Sequence, residues 1–159
     1  LIEKNFQVIH VTGEANYAPL VQAVTGYGLN IETGPYRPVP FLNAQNLANV
    51  YAAAGVVVSR AGAGSIAELA ANKKATILVP LPTAANDHQR ANAYEVFEAG
   101  GAIVLEEGNL SEHMLIENIE RILGDQELRQ RMGNALFVFY HPDAADRIAV
   151  ALLELAVAV

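Results

Sequence analysis

Apolar positions along this chain follow two rhythms. Short unbroken runs at Val56, Val57 and Val58, at Thr76 to Pro80 (TILVP) and at Ala102 to Leu105 (AIVL) read as strands covered on both faces, as in a parallel sheet. Gln7 to Val11 (QVIHV), ending in Thr12-Gly13, and Leu29 to Thr33 read as two earlier strands. Between the runs lie helices. Pro19 fits the first turn of one that stops at Gly26 or Gly28. Leu47, Val50 and Tyr51 mark another across Asn43 to Ala54, after a loop from Gly34 to Pro40 that carries three prolines. A turn of small residues, Ser59 to Gly64, opens a helix that ends near Asn72-Lys73-Lys74.

Further on, Leu81 to Asp87 is a loop, and Asn86 or Asp87 caps a helix reaching Ala99, where Gly100-Gly101 stops it. Ser111 caps a helix to Leu123, Asp125 opens another to about Phe139, and Pro142-Asp143 starts a last one. This C-terminal third is amphipathic and acidic, as expected of an outer layer packed on a sheet. Strands alternating with helices predict an α/β fold: a Rossmann-like parallel sheet flanked by helices, in one domain over residues 1–159.

Composition narrows the partners. A hydrophobic content of 52% with 17% charged residues suits a compact, well-buried domain. With 10 Lys and Arg against a net charge of −7, the chain is a poor candidate for nucleic acid. Cys is absent, which excludes a disulfide scaffold and fits a cytoplasmic protein. No run reaches the ~18 apolar residues of a membrane span. Leu1 rather than Met opens the chain, so a segment upstream is expected.

The chemistry concentrates after two of the strands. Gly62 and Gly64 allow unusual backbone angles and close approach, and N–H groups at a helix start suit a phosphate. Ser65 and Glu68 have capping-box spacing, so they serve either as a cap or as a ligand for a ribose diol. Asn86 and Gln89 repeat that spacing. Arg60, His88, Gln89 and Asn92 supply polar groups beyond what a cap needs, and Phe41 is either core or site. In a doubly wound sheet both loops fall at the carboxyl edge, where ligands bind. The chain has no G-x-x-x-x-G-K-[ST], no first-strand G-x-G-x-x-G and no G-x-S-x-G, and its four histidines lack metal-ligand spacing.

Three stretches taken together, Ser59 to Leu69 (SRAGAGSIAEL), Val79 to Ala93 (VPLPTAANDHQRANA) and Glu98 to Glu107 (EAGGAIVLEE), resemble the donor-binding C-terminal domain of the MurG family. HVTG at His10 to Gly13 and Pro40 to Leu42 follow the same order. The resemblance implies half of a GT-B glycosyltransferase of peptidoglycan synthesis, which moves N-acetylglucosamine from UDP-N-acetylglucosamine onto lipid I to form lipid II. It implies that backbone N–H groups of Ala63, Gly64 and Ser65 face the diphosphate, with Arg60 in the same turn. Glu68 takes the ribose, Leu42 and Phe41 the uracil, and His88, Gln89 and Asn92 the sugar.

The family's first strand, its G-G-S-x-G-A loop and its N-terminal acceptor domain have no counterpart here. The expectation is therefore a fragment that lacks the catalytic base, binds donor weakly or not at all, and does not turn over. Neither cofactor nor metal is expected, since no Asp-x-Asp pair is present and a helix N-terminus suits the leaving diphosphate. Lipid I and a peripheral attachment to the inner face of the membrane would come through the missing domain. Alternatives are another GT-B UDP-sugar transferase subunit, or a non-catalytic nucleotide-binding module on the same fold.

Overall fold

A computed structural model describes residues 6–84 and 87–157. The chain divides into two compact units, Leu1–Ala54 and Gly55–Val159. In the first, β1 (Val8–Val11) leads into α1 (Glu14–Gly26), then β2 (Tyr36–Val39) and α2 (Ala44–Ala53). In the second, β3 (Val57–Ser59), α3 (Ala63–Ala71), β4 (Thr76–Leu78), α4 (His88–Glu98) and β5 (Ala102–Val104) alternate before α5 (Glu112–Gly124), α6 (Gln126–Leu136) and α7 (Ala144–Val157). Every strand pairing is parallel: β1 with β2 in one sheet, and the order β3-β4-β5 in the other. Parallel sheets flanked by helices are what the alternating pattern predicts.

The first unit differs most from that pattern. The second strand lies in the proline-rich stretch, and Leu29–Thr33 is a turn instead. Asn30 causes this: its side-chain oxygen accepts from the N–H groups of Glu32 and Thr33 at 2.9 and 3.0 Å, and its carbonyl accepts from Gly34. Such local bonds compete with a sheet ladder. Gly34 is obligatory there, because a Cβ would stand 2.1 Å from the Asn30 carbonyl oxygen. β2 tolerates its prolines because, among the described residues, it pairs only with β1. Val8 donates to Pro35 O and Thr12 to Val39 O, which puts odd-numbered β2 residues on the ladder edge and Pro38 on the other. Pro19 falls in the second turn of α1 rather than the first, because that helix begins at Glu14.

The second unit holds the main core. All three β4 residues are buried, and Leu69, Val96, Ile122 and Leu136 of the flanking helices are also almost without exposure. β3 was expected to be covered on both faces, yet it sits at the end of its sheet with Val58 43% exposed. Gly100, at φ +78°, ends α4: its N–H bonds Phe97 O while Gly101 N–H bonds Val96 O, closing the helix in a Schellman turn. Gly133 lets α6 lie against the end of α3, where a Cβ would come 2.1 Å from Lys73 O.

Ser111 and Asp125 cap α5 and α6 through Met114 N–H and Leu128 N–H, as their spacing predicts. The expected packed outer layer stops at α6. α7 keeps its apolar side chains exposed, with Leu152, Leu153 and Leu155 each above 60%.

Candidate functional site

The turns after β3 and β4 share one edge, because these strands are parallel neighbours in register. After β3 the chain passes through Arg60 and Ala61 to Gly62, the N-cap of α3. No side chain caps this helix, and its first intrahelical bond runs from Ile66 N–H to Gly62 O. The N–H groups of Ala63, Gly64 and Ser65 therefore have no intrahelical carbonyl to bond.

The capping-box alternative for Ser65 and Glu68 fails here. Ser65 stands third inside the helix, where its hydroxyl cannot act as the N-cap. Glu68 lies one turn after Gly64, so both share an exposed helix face.

Of the two expectations for Gly62 and Gly64, unusual backbone angles are not met, while room for close approach is present at Gly64. Neither takes a positive φ, so the backbone does not demand glycine at either position. A Cβ on Gly62 would make only ordinary contact with Ser65 Oγ at 3.9 Å, and one on Gly64 would meet nothing within 4 Å. Folding thus leaves open space over Gly64, at the positive end of a helix.

Across the edge, α4 starts at His88, whose side chain is exposed. Asp87 occupies the N-cap position at φ +56° without a side-chain cap bond. The alternative cap, Asn86, lies outside the described residues.

Gln89 and Asn92 are tied to the two strand-ending turns. Gln89 Oε1 accepts from Leu81 N–H at 3.1 Å, and Asn92 Nδ2 donates to Ala61 O at 3.1 Å. Their remaining polarities are complementary: Gln89 keeps an amide donor and Asn92 a carbonyl acceptor, which together suit a hydroxyl that both accepts and donates.

The loop after β5, at the same edge, was missed by sequence reasoning. One Arg60 guanidinium nitrogen donates to Val79 O at 3.3 Å and pairs with the Glu107 carboxylate. Glu106 forms an ion pair with Arg90, Nε to Oε1 3.0 Å, and accepts a hydrogen bond from the Tyr94 hydroxyl at 3.1 Å. Arg60, read from the sequence as a ligand residue, thus also braces three strand ends. The signal available was position: Glu106 and Glu107 follow the third parallel strand as the other loops follow theirs.

Phe41 and Leu42 belong to the first unit, between β2 and α2. Phe41 is 69% exposed, so it is no part of a core there. Among the described residues, no group of three or more His, Asp or Glu is placed to hold a metal ion.

A Rossmann-type unit with an uncapped helix N-terminus at its strand edge is the nucleotide-binding class of α/β fold. Residues 1–148 match the glycosyltransferase family 28 C-terminal domain, and the chain belongs to that family.

Among its relatives is the UDP-N-acetylglucosamine--N-acetylmuramyl-(pentapeptide) pyrophosphoryl-undecaprenol N-acetylglucosamine transferase of Sorangium cellulosum. It is 39% identical over 96% of this chain and 36% of its own length. An enzyme of Bacillus thuringiensis with the same description is 36% identical over 91% of the chain and 38% of its own. The chain thus spans little more than a third of these relatives.

The crystal structure of Acinetobacter baumannii MurG superposes with a TM-score of 0.74 at 23% identity. The match covers 94% of this chain and 41% of that one, which establishes a MurG-like fold for this part. The glycosyltransferase VinC, solved with dTDP, shares the fold at a TM-score of 0.58 and 19% identity, over 77% of this chain and 28% of its own.

Proposed function

We propose that this chain is the donor-binding part of a glycosyltransferase that moves N-acetylglucosamine from UDP-N-acetylglucosamine onto lipid I, forming lipid II. The observation that carries this reading is the start of α3. It is uncapped, has empty space over Gly64, and places Glu68 one turn along the same face. A diphosphate against the N–H groups of Ala63, Gly64 and Ser65 leaves the adjoining ribose within reach of a carboxylate, which accepts from both ribose hydroxyls. Gln89, Asn92 and His88 face the sugar, and the family resemblance gives Leu42 and Phe41 the base.

In the transfer, the acceptor hydroxyl attacks the anomeric carbon and the bond to the β-phosphate oxygen breaks, leaving UDP. Negative charge grows on the diphosphate as that bond lengthens. The α3 N-terminus stabilises it with dipoles already oriented, so the gain is largest where the charge is largest. No residue of this chain is assigned as the base that takes the acceptor's proton. That group, the lipid I site and the attachment to the cytoplasmic face of the membrane belong to the rest of a longer protein.

Titration of UDP, UDP-N-acetylglucosamine and UDP-glucose into the 15N-labelled chain, followed by amide shifts, tests the donor site. Shifts should concentrate at Ala63 to Glu68 and be weakened by Glu68→Ala. Unchanged UDP affinity in that variant refutes the ribose assignment. Transfer to lipid I by the 159-residue chain alone would refute the assignment of the base elsewhere.

A further inference from the structure

Gln89 and Asn92 can read a sugar only if the first turns of α4 hold a fixed angle to the strand ends. Their bonds to Leu81 N–H and Ala61 O secure one side of that helix. The opposite attachment comes from the loop after β5. Glu106 there pairs ionically with Arg90, the residue following Gln89, and accepts from the hydroxyl of Tyr94, one turn further along. Arg90 lies 5.9 Å from the centre of the Tyr94 ring and 4.0 Å from Asp87, so its guanidinium is held from several directions. Glu106 is itself only 30% exposed at its side chain, less than the Arg60, Glu107 and Arg90 side chains around it.

We propose that Glu106 is a positioning residue for sugar recognition. From the end of β5 it fixes Arg90 and Tyr94, and through them sets the angle at which α4 presents Gln89 and Asn92. This rests on the donor reading above, and it touches the sugar part of that site and not the nucleotide part. Glu107, one residue on, pairs with Arg60 on the other side. The loop therefore braces both flanks through adjacent carboxylates, but Glu106 alone reaches α4.

The test uses the full chain and two substitutions. Glu106→Ala removes the ion pair and the hydrogen bond, while Glu106→Gln loses the charge but keeps an oxygen that accepts from the Tyr94 hydroxyl. A part-exposed ion pair contributes modestly, so the effect should be about threefold to fivefold.

The first readout needs no ligand. Exchange of the Leu81 amide, which is bonded to Gln89, should quicken by about that factor in Glu106→Ala and return towards the original in Glu106→Gln. The second is the ratio of affinities for UDP-N-acetylglucosamine and UDP, which cancels any general change in charge or stability. It should fall in Glu106→Ala and recover in Glu106→Gln.

Unchanged Leu81 exchange overturns the proposal, as does an equal loss of affinity for both ligands. If Leu81 exchange quickens and the unsubstituted chain shows no response to either ligand, Glu106 still holds α4 in place, but its role in sugar recognition is overturned for this chain.

Discussion

Replacing Gly64 by Ala should separate folding from binding. The residue has an ordinary helical φ and sits second in α3, with nothing within 4 Å of the added Cβ. The methyl group therefore meets no obstacle, and the loss of glycine's freedom in the unfolded chain favours the folded state. The expected gain is about 0.5–1 kcal/mol. For a chain of this size that raises the melting temperature by about 1–4 °C.

Ligand binding should move the other way. The methyl would fill the space over the three N–H groups and push a phosphate away from at least one of them. Hydrogen bonds to charged groups contribute about 1.5–3 kcal/mol, so UDP affinity should fall by about tenfold to a hundredfold. Calorimetric unfolding measures the first effect and amide-shift titration with UDP the second. A variant that is destabilised would mean that Gly64 is required by the fold. A stabilised variant that binds UDP as before would mean that no phosphate lies over this turn.

Gly133→Ala should do the opposite to stability, because its Cβ would lie 2.1 and 2.8 Å from the Lys73 carbonyl oxygen and carbon. Overpacking of this kind costs about 1–3 kcal/mol, and a melting temperature within 1 °C of the original would contradict the tight α3–α6 contact. Gln89→Glu retains an acceptor for Leu81 N–H but loses the amide donor; we expect affinity for UDP-N-acetylglucosamine to drop about tenfold more than for UDP. Burial raises the Tyr36 phenol above its ordinary value of 10.0, and its oxygen lies 2.7 Å from His10 Nδ1. The folded state holds that proton longer, so stability is full below the unfolded pKa and is lost as pH rises through the folded one. Urea midpoints measured from pH 8 to 11 should fall less in Tyr36→Phe.

The second unit was legible because each element there has a local cause. β4 is a wholly apolar run, Ser111 and Asp125 cap their helices, and Gly100 ends α4 in the left-handed conformation that glycine favours. The edge that brings Gly64, Glu68, Gln89 and Asn92 near one another followed from the parallel pattern. What failed depended on competition or long-range pairing. Asn30 turns a stretch that reads as a strand, while the prolines of β2 are accommodated because one strand edge carries no ladder among the described residues, a fact invisible without the partner. Ser65 and Glu68 fit a capping box equally well on paper. Only the helix start at Ala63 excludes it. The Glu106 and Glu107 contacts join residues 12 and 47 positions apart, and no spacing rule reaches that far.

A chain of net charge −7 is an unpromising receptor for an anion, so on the donor reading the site would have to answer that difficulty locally. Its nearest cations do not act as free attractors: Arg60 is paired with Glu107, and Arg90 with Glu106. Used this way they act as braces that hold strand ends and α4 in place. The remaining positive potential comes from backbone dipoles at the start of α3, which are short-ranged and fixed in direction. An N-terminus of this kind favours charge lying directly on the helix axis far more than charge nearby. On the donor reading it would therefore favour a diphosphate placed on that axis over the general run of anions that a lysine cluster would attract. The same geometry suits a leaving group, because the growing charge sits where the dipoles already point and no side chain has to move to meet it.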